Sequence, residues 1–244
     1  MAGLSPLATQ PPVGRDCSMT RQIDRPPPPT SDPLPAAVAT RLPEAAADYV
    51  GELLSQHPVV LRVVPRRVTK LGDHRPPNAA VPWHRITIND DLNPYAFLVT
   101  LLHELAHLTT HAAYGGRRRR LQPHGREWQT QFAKVIEPVV ARRLVPADVD
   151  AALRAAVERP RAATCSDRRL LLALSRYDTD ADSLLRVEEL RPGDLFELES
   201  GRRFIRGARL RSRYRCIEMA TGVEYRVHGL ARVGLVPQND SPGK

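Results

Sequence analysis

Apolar positions recur at helical spacing in some stretches of the chain and run together or alternate in others, and the two patterns predict where helices and strands lie. Leu42, Ala45, Ala46, Tyr49, Val50, Leu53 and Leu54 make one apolar stripe, which predicts a single amphipathic helix from Pro35 to His57. Val59 to Val64 and His84 to Asn89 are rich in β-branched residues and read as strands. Asp91-Leu92-Asn93-Pro94 then supplies capping residues and a proline suited to a first helical turn. Leu98, Leu101, Leu102, Leu105 and Leu108 follow at helical spacing until Gly115-Gly116 stops the run, so a helix of about twenty residues is expected there. Pro123-His124-Gly125 opens a second amphipathic segment, with Trp128, Phe132, Val135 and Ile136 as its apolar face.

Beyond residue 160 the pattern changes. Leu170 to Leu174 reads as a short buried helix or connector. Short strands are expected at Asp194 to Leu198, Arg203 to Arg206, Tyr214 to Met219, Val223 to Val227 and Ala231 to Val236. Glu199-Ser200-Gly201 and Ala220-Thr221-Gly222 have the composition of hairpin turns. The chain is thus expected to be α+β, with a mixed domain over residues 36–160, a connector over 161–190, a small basic antiparallel β-module over 191–236 and a tail over 237–244.

Composition adds three constraints. Residues 1–35 are rich in proline, with Pro26 to Pro29 consecutive, and hold few large apolar side chains, so they are expected to be disordered. The three cysteines, Cys17, Cys165 and Cys216, form no C-x-x-C pair, and no apolar run is long enough to span a bilayer. A soluble protein of the cytoplasm, without a membrane partner, is the expectation.

The formal net charge is +9, and its distribution is uneven. Arg117, Arg118, Arg119 and Arg120 are consecutive, and Arg202, Arg203, Arg206, Arg209, Arg211, Arg213 and Arg215 follow one another with no acid among them. If Arg209, Arg211, Arg213 and Arg215 share one strand, alternation sends all four to one face and makes a stripe suited to a phosphate backbone, while Tyr214 points away. The competing reading is a solvated basic surface. Asp178, Asp180, Asp182 and Glu189 fall at the ligand positions of a calcium loop, but Ser183 stands where the sharp turn needs glycine, so a solvated acidic turn is the favoured reading.

The pentapeptide His103-Glu104-Leu105-Ala106-His107 lies within the predicted long helix. Positions i and i+4 share a face, so both imidazoles can reach one metal ion, with Glu104 beside the first. A zinc ion in such a place lowers the pKa of its water to about 7, and a neighbouring carboxylate can take the proton. Catalytic zinc sites use three protein ligands. His111 continues the i+4 series but lies about 12 Å along the axis from His103, too far to share the ion. The H-x-x-G-x-x-H continuation is absent, since Thr110 and Ala113 occupy its places. His124, at the entrance of the next helix, is the best third ligand, and Glu127, one turn on, is the alternative.

His103 to His107, a short excursion, and His124-Gly125-Arg126-Glu127-Trp128 together resemble the SprT-like family of zinc metalloproteases. Arg67 to Asp73 and Arg85 to Asn89 also resemble bacterial SprT-like proteins, and the likeness covers roughly residues 36–160. The resemblance implies a minimal zincin-like domain that binds one Zn2+ through His103, His107 and His124, with Glu104 as catalytic base. The four-cysteine zinc ribbon of many members is missing, which is similar to a bacterial subgroup that ends in a basic β-rich tail. Because SprT-like proteases are associated with cleaving proteins crosslinked to DNA, the resemblance implies a protein substrate, a role in DNA repair, and nucleic acid, DNA above RNA, as partner. Arg117 to Arg120 and Arg209, Arg211, Arg213 and Arg215 are the candidate contacts. A zinc-stabilised nucleic-acid-binding protein without turnover is the competing class. The strand ending near Asn89 directly precedes the motif helix, so its edge is expected to hold an extended substrate.

Overall fold

The computed structural model describes residues 34–67, 69–116, 121–158, 167–179 and 184–237. The proline-rich residues 1–33, Arg117 to Arg120, Cys165, Asp180 and Asp182 lie outside them.

The single helix expected from Pro35 to His57 is broken into three pieces: α1 (Ala36–Ala39), a 3-10 turn (Glu44–Ala46) and α2 (Ala47–Ser55). Pro43 is the cause, because proline lacks the N–H a continuing helix needs and disfavours helical backbone at the residue before it. Most of the apolar stripe still reaches the core: Leu42, Ala46, Tyr49, Val50 and Leu54 are buried and Leu53 is partly so, while Ala45 is exposed. Tyr49 donates its hydroxyl to Val135 O at 2.7 Å, which ties α2 to a later helix.

Three strands follow: β1 (Val59–Val64), β2 (Gly72–Arg75) and β3 (His84–Asn89), in sheet order β1-β3-β2. β1 runs parallel to β3, and β2 runs antiparallel to it. Both edges of β3 are therefore taken, which corrects the expectation that its edge is open to a substrate. The two edges of the sheet are β1 and, beside the motif helix, β2. The sequence of β2, Gly-Asp-His-Arg, contains no apolar residue, so the hydrophobic pattern gives no sign of it. It is placed by Asn89, fully buried, whose amide donates to Arg67 O and Lys70 O, each at 3.1 Å, and accepts from Arg67 Nε at 2.8 Å.

α3 (Pro94–Tyr114) starts where the capping residues predict: Asn93 Oδ1 accepts from the N–H groups of Tyr95 and Ala96, and Pro94 fills the first turn. α4 (Arg126–Ala141), α5 (Ala147–Glu158) and α6 (Arg168–Ser175) pack successively onto α3 and one another. One apolar core joins α1 to α6 and the first sheet, from Val38 to Leu174.

The C-terminal strands are β4 (Leu185–Arg186), β5 (Leu195–Glu197), β6 (Arg203–Leu210), β7 (Arg213–Glu218), β8 (Glu224–His228) and β9 (Arg232–Leu235). They form one antiparallel sheet in the order β4-β9-β5-β6-β7-β8, over a separate core of Val187, Leu190, Phe196, Phe204, Tyr214, Cys216 and Val233. Gly201 and Gly222, in the two expected hairpin turns, have φ of 77° and 69°. The residues expected to form a connector divide between the cores: α6 belongs to the first, and β4 and Val187 to the second.

The four alternating arginines do not share a strand, which corrects the predicted stripe. β6 continues to Leu210 through an irregularity between Arg206 and Arg209, and the chain then turns at Arg211, whose φ is 48°. Arg209 is thus on β6, Arg211 in the turn, and Arg213 and Arg215 on β7. Gly207 permits the irregularity, since a Cβ there would stand 2.9 Å from Arg215 O. Of the calcium-loop residues described, Asp178 pairs with Arg232 at 2.9 Å and Glu189 accepts from Arg186 N at 2.6 Å, so both are engaged in local structure. No helix among the described residues is long and apolar enough to cross a membrane.

Candidate metal centre

α3 sets His103 and His107 one turn apart with their Nε2 atoms 3.2 Å from each other. His124 Nε2 completes the group, 3.1 Å from His107 Nε2 and 3.0 Å from His103 Nε2. His124 has a φ of 56° and directly precedes Gly125, the extended cap of α4. Histidine enters this left-handed region more readily than most residues. Here the conformation is held by Gln129, one turn into α4, whose side-chain amide donates to His124 O at 3.0 Å.

The three nitrogens suit a metal ion on two counts. Their triangle has edges of 3.0–3.2 Å, close to the roughly 3.3 Å that three nitrogens on one tetrahedral zinc require with bonds near 2.0–2.1 Å. Burial, then the neighbouring His107 and His124, pushes His103 down to about 3. Burial and then His124 push His107 down to about 4, and burial also lowers His124. All three rings are therefore neutral near pH 7. A neutral Nε2 carries one in-plane hydrogen or one lone pair, so three converging on a point cannot all be satisfied by each other. A cation satisfies all three together, and among the described residues His103, His107 and His124 form the one group that can hold a metal ion. Glu127 does not join them: its carboxylate lies on the Gly125 side, where Oε2 would be 3.6 Å from a Cβ at that glycine. His111, in the last turn of α3, instead meets His84 edge-on, with centroids 5.4 Å apart.

The sequence marks Trp128 only as part of an apolar stripe, whereas the structure makes it the wall behind the three histidines. Its ring centroid lies 4.8 Å from that of His103, 5.4 Å from His107 and 4.7 Å from His124. Phe132 stacks on Trp128 at 4.9 Å and also meets His103, 6.4 Å away.

Glu104 is 7% exposed and sits under β2. The His74 backbone is near enough to lower the pKa of its carboxyl, and a Cβ added at Gly72 would stand 2.6 Å from Oε1. Burial, and next the charge of Asp73, raises the Glu104 carboxyl to about 7 against the opposing pull of Arg67, Lys70 and the His74 backbone. His74 itself lies parallel to His107, with centroids 6.4 Å apart, and its Nε2 is 2.9 Å from His84 Nδ1. Gly72 and His74 carry no mark in the hydrophobic pattern, and only their place beside the motif helix shows their part.

Residues 54–149 match the SprT-like family, and the match contains Glu104 and all three histidines. The chain carries a SprT-like domain, and the family is one related to zinc metalloproteases and dependent on metal. No curated protein and no solved structure matches the chain.

Proposed function

We propose that the chain is a zinc endopeptidase that cuts proteins bound or crosslinked to nucleic acid, DNA above RNA, in the service of DNA repair. The convergence of three neutral Nε2 atoms within 3.2 Å, two of them on the helix that also carries Glu104 and the third from the entrance of α4, supports this reading most directly. His103, His107 and His124 would hold the ion. Bound there, zinc supplies Lewis acidity, polarising a peptide carbonyl and making water a better nucleophile at neutral pH. The chain's own residues do the rest. Glu104 is the proton acceptor, later returning the proton to the leaving amine, and β2 closes over its carboxylate at Gly72. Trp128 keeps the imidazoles in place and excludes water from behind them.

The substrate is proposed to extend along β2. Leu71 O accepts from Asn89 N, so alternation of the antiparallel ladder turns the N–H and C=O of Asp73 and Arg75 toward β3 and those of Gly72 and His74 outward. An extended peptide added there would run beside Glu104.

The test is cleavage of a basic DNA-binding protein by zinc-loaded wild type and zinc-loaded Glu104→Gln, with and without DNA. Cleavage by wild type alone, stimulated by DNA, is expected. Zinc-loaded wild type that cuts nothing would overturn the proposal in favour of a binding protein without turnover.

A further inference from the structure

A cavity of about 190 Å³ lies where α6 meets the β-module, lined by Arg168 from the helix and by Glu188, Arg209, Arg211, Ser212, Tyr214 and His228 from the module. Arg168 grips Glu188 through both terminal nitrogens, each bond 2.6 Å, so these two charges cancel and make a rigid side of the cavity. Gly229 keeps the floor open, because a Cβ there would stand 3.1 Å from the Tyr214 ring and 3.4 Å from the Glu188 carboxylate.

Apart from the buried Tyr214 ring, the remaining lining offers donors. Arg209 Nε donates to Arg211 O at 3.1 Å, which steadies the turn; Arg209 feels the charge of Glu188, which Arg168 already holds, and among the described residues neither guanidinium is in a salt bridge. His228 Nδ1 accepts from Leu230 N at 3.2 Å, which leaves its proton on Nε2. The Ser212 hydroxyl is a further donor. Three arginines against the one carboxylate of Glu188 leave an excess of positive charge, and with the additional donors this calls for an anion. The volume is below the ~300–1,000 Å³ of sites that enclose whole drug-sized ligands, so it suits a single phosphate group rather than a complete nucleotide.

Charge continues from the cavity along the outer face of the sheet. Arg213 stands opposite His228, and Arg215 opposite Arg226, and all three arginines are exposed. Among the described residues Glu224 is the one acid in a salt bridge with any of them, 3.6 Å from Arg215. A lone phosphate would have no use for this track, whereas a chain of phosphates would.

We infer that the cavity takes one backbone phosphate of a nucleic-acid strand while Arg213, Arg215 and Arg226 carry its neighbours. The inference rests on the nucleic-acid part of the proposed function and is independent of whether the chain cleaves peptides.

Binding of labelled single- and double-stranded oligonucleotides to the full chain, followed by fluorescence anisotropy across a range of salt, tests it with no proteolytic step. Arg209→Ala/Arg211→Ala is expected to weaken binding about tenfold or more at moderate salt. For a single strand it should also flatten the dependence of log K on log salt by about 0.7, the loss of one phosphate contact. Arg142→Ala/Arg154→Ala, which removes two charges elsewhere, is the control and should change affinity less than about twofold. Arg211→Lys keeps the charge and bulk while removing the fork, so a partial loss is expected without any question of folding. Unchanged affinity in Arg209→Ala/Arg211→Ala, with wild type binding, overturns the cavity assignment alone. Inorganic phosphate held through Arg209 and Arg211, with oligonucleotide binding indifferent to them, overturns it in favour of a free-phosphate site. Wild type that binds no oligonucleotide overturns both the inference and the nucleic-acid reading it rests on.

Discussion

Gly72 and Glu104 are in direct contact: a single added carbon at Gly72 would come 2.6 Å from Glu104 Oε1, 2.8 Å from its Cγ and 2.9 Å from Thr100 Cγ2. Neither carbon can give way easily, because α3 is buried on this side. Gly72→Ala should therefore displace the carboxylate or lift β2. Overpacking of this kind costs about 1–3 kcal/mol. The expected result is a loss of kcat/KM of at least about tenfold with zinc retained, measured beside the melting temperature. A variant with wild-type turnover would show that the strand does not set the position of Glu104.

His124 and Glu127 make opposite predictions for metal content. His124→Ala should weaken zinc binding by more than the ~10–100-fold that outer-shell changes cost, and Glu127→Ala should leave it near wild type. Competition against a chromophoric chelator reads both. Unchanged zinc in His124→Ala would sink the three-histidine assignment.

Trp128 touches all three imidazoles and is buried, 2% exposed. Trp128→Ala should cost about 3–5 kcal/mol of stability and weaken zinc binding as well. Trp128→Phe, which keeps a flat apolar wall, should recover most of the metal affinity. If Trp128→Ala lowered stability alone, the ring would be a core residue with no hold on the site.

Acid should destabilise the metal-free protein through the histidines beside the site. Burial, then the charges of nearby histidines, lowers His74 to about 3 and His84 to about 4 from an ordinary value of 6.5. Between pH 6.5 and about 4 the unfolded chain binds protons that the folded chain does not, so stability is full above 6.5 and falls as pH drops through that window. Urea midpoints of chelator-treated protein should fall accordingly, and His74→Gln/His84→Gln should fall less steeply. Parallel curves for the two proteins would assign the acid sensitivity elsewhere.

The long helix was legible because every signal agreed: Asn93 and Pro94 at its start, leucines at helical spacing, glycines past its end. Where signals were weak, a second interaction decided. Pro43 cut a stripe that periodicity alone would continue. β2 has no apolar residue and exists because Asn89 captures the loop before it. The arginine stripe failed because Gly207 and Arg211 bend a run of residues that alternation treats as straight. Trp128 was correctly an apolar position, but periodicity says which face is buried and not what lies against it. Two residues competed in sequence for the place beside His103 and His107, and the left-handed backbone at His124, which brings its ring round, is not visible in spacing.

The dependence of β2 on the amide of Asn89 bears on which changes of chain length the protein tolerates. Asn89 reaches two carbonyls three residues apart, Arg67 O and Lys70 O. Asp73 and Arg75 can change side chain without altering the path between those anchors. Adding or deleting one residue between Lys70 and Gly72 would instead slip the strand by one position against β3 and exchange its inward and outward backbone groups. The backbone that now closes over Glu104 at Gly72 would be displaced, and the carboxylate would lose that cover although every residue of the His-Glu-x-x-His motif remained. Length, more than composition, is what this segment has to conserve.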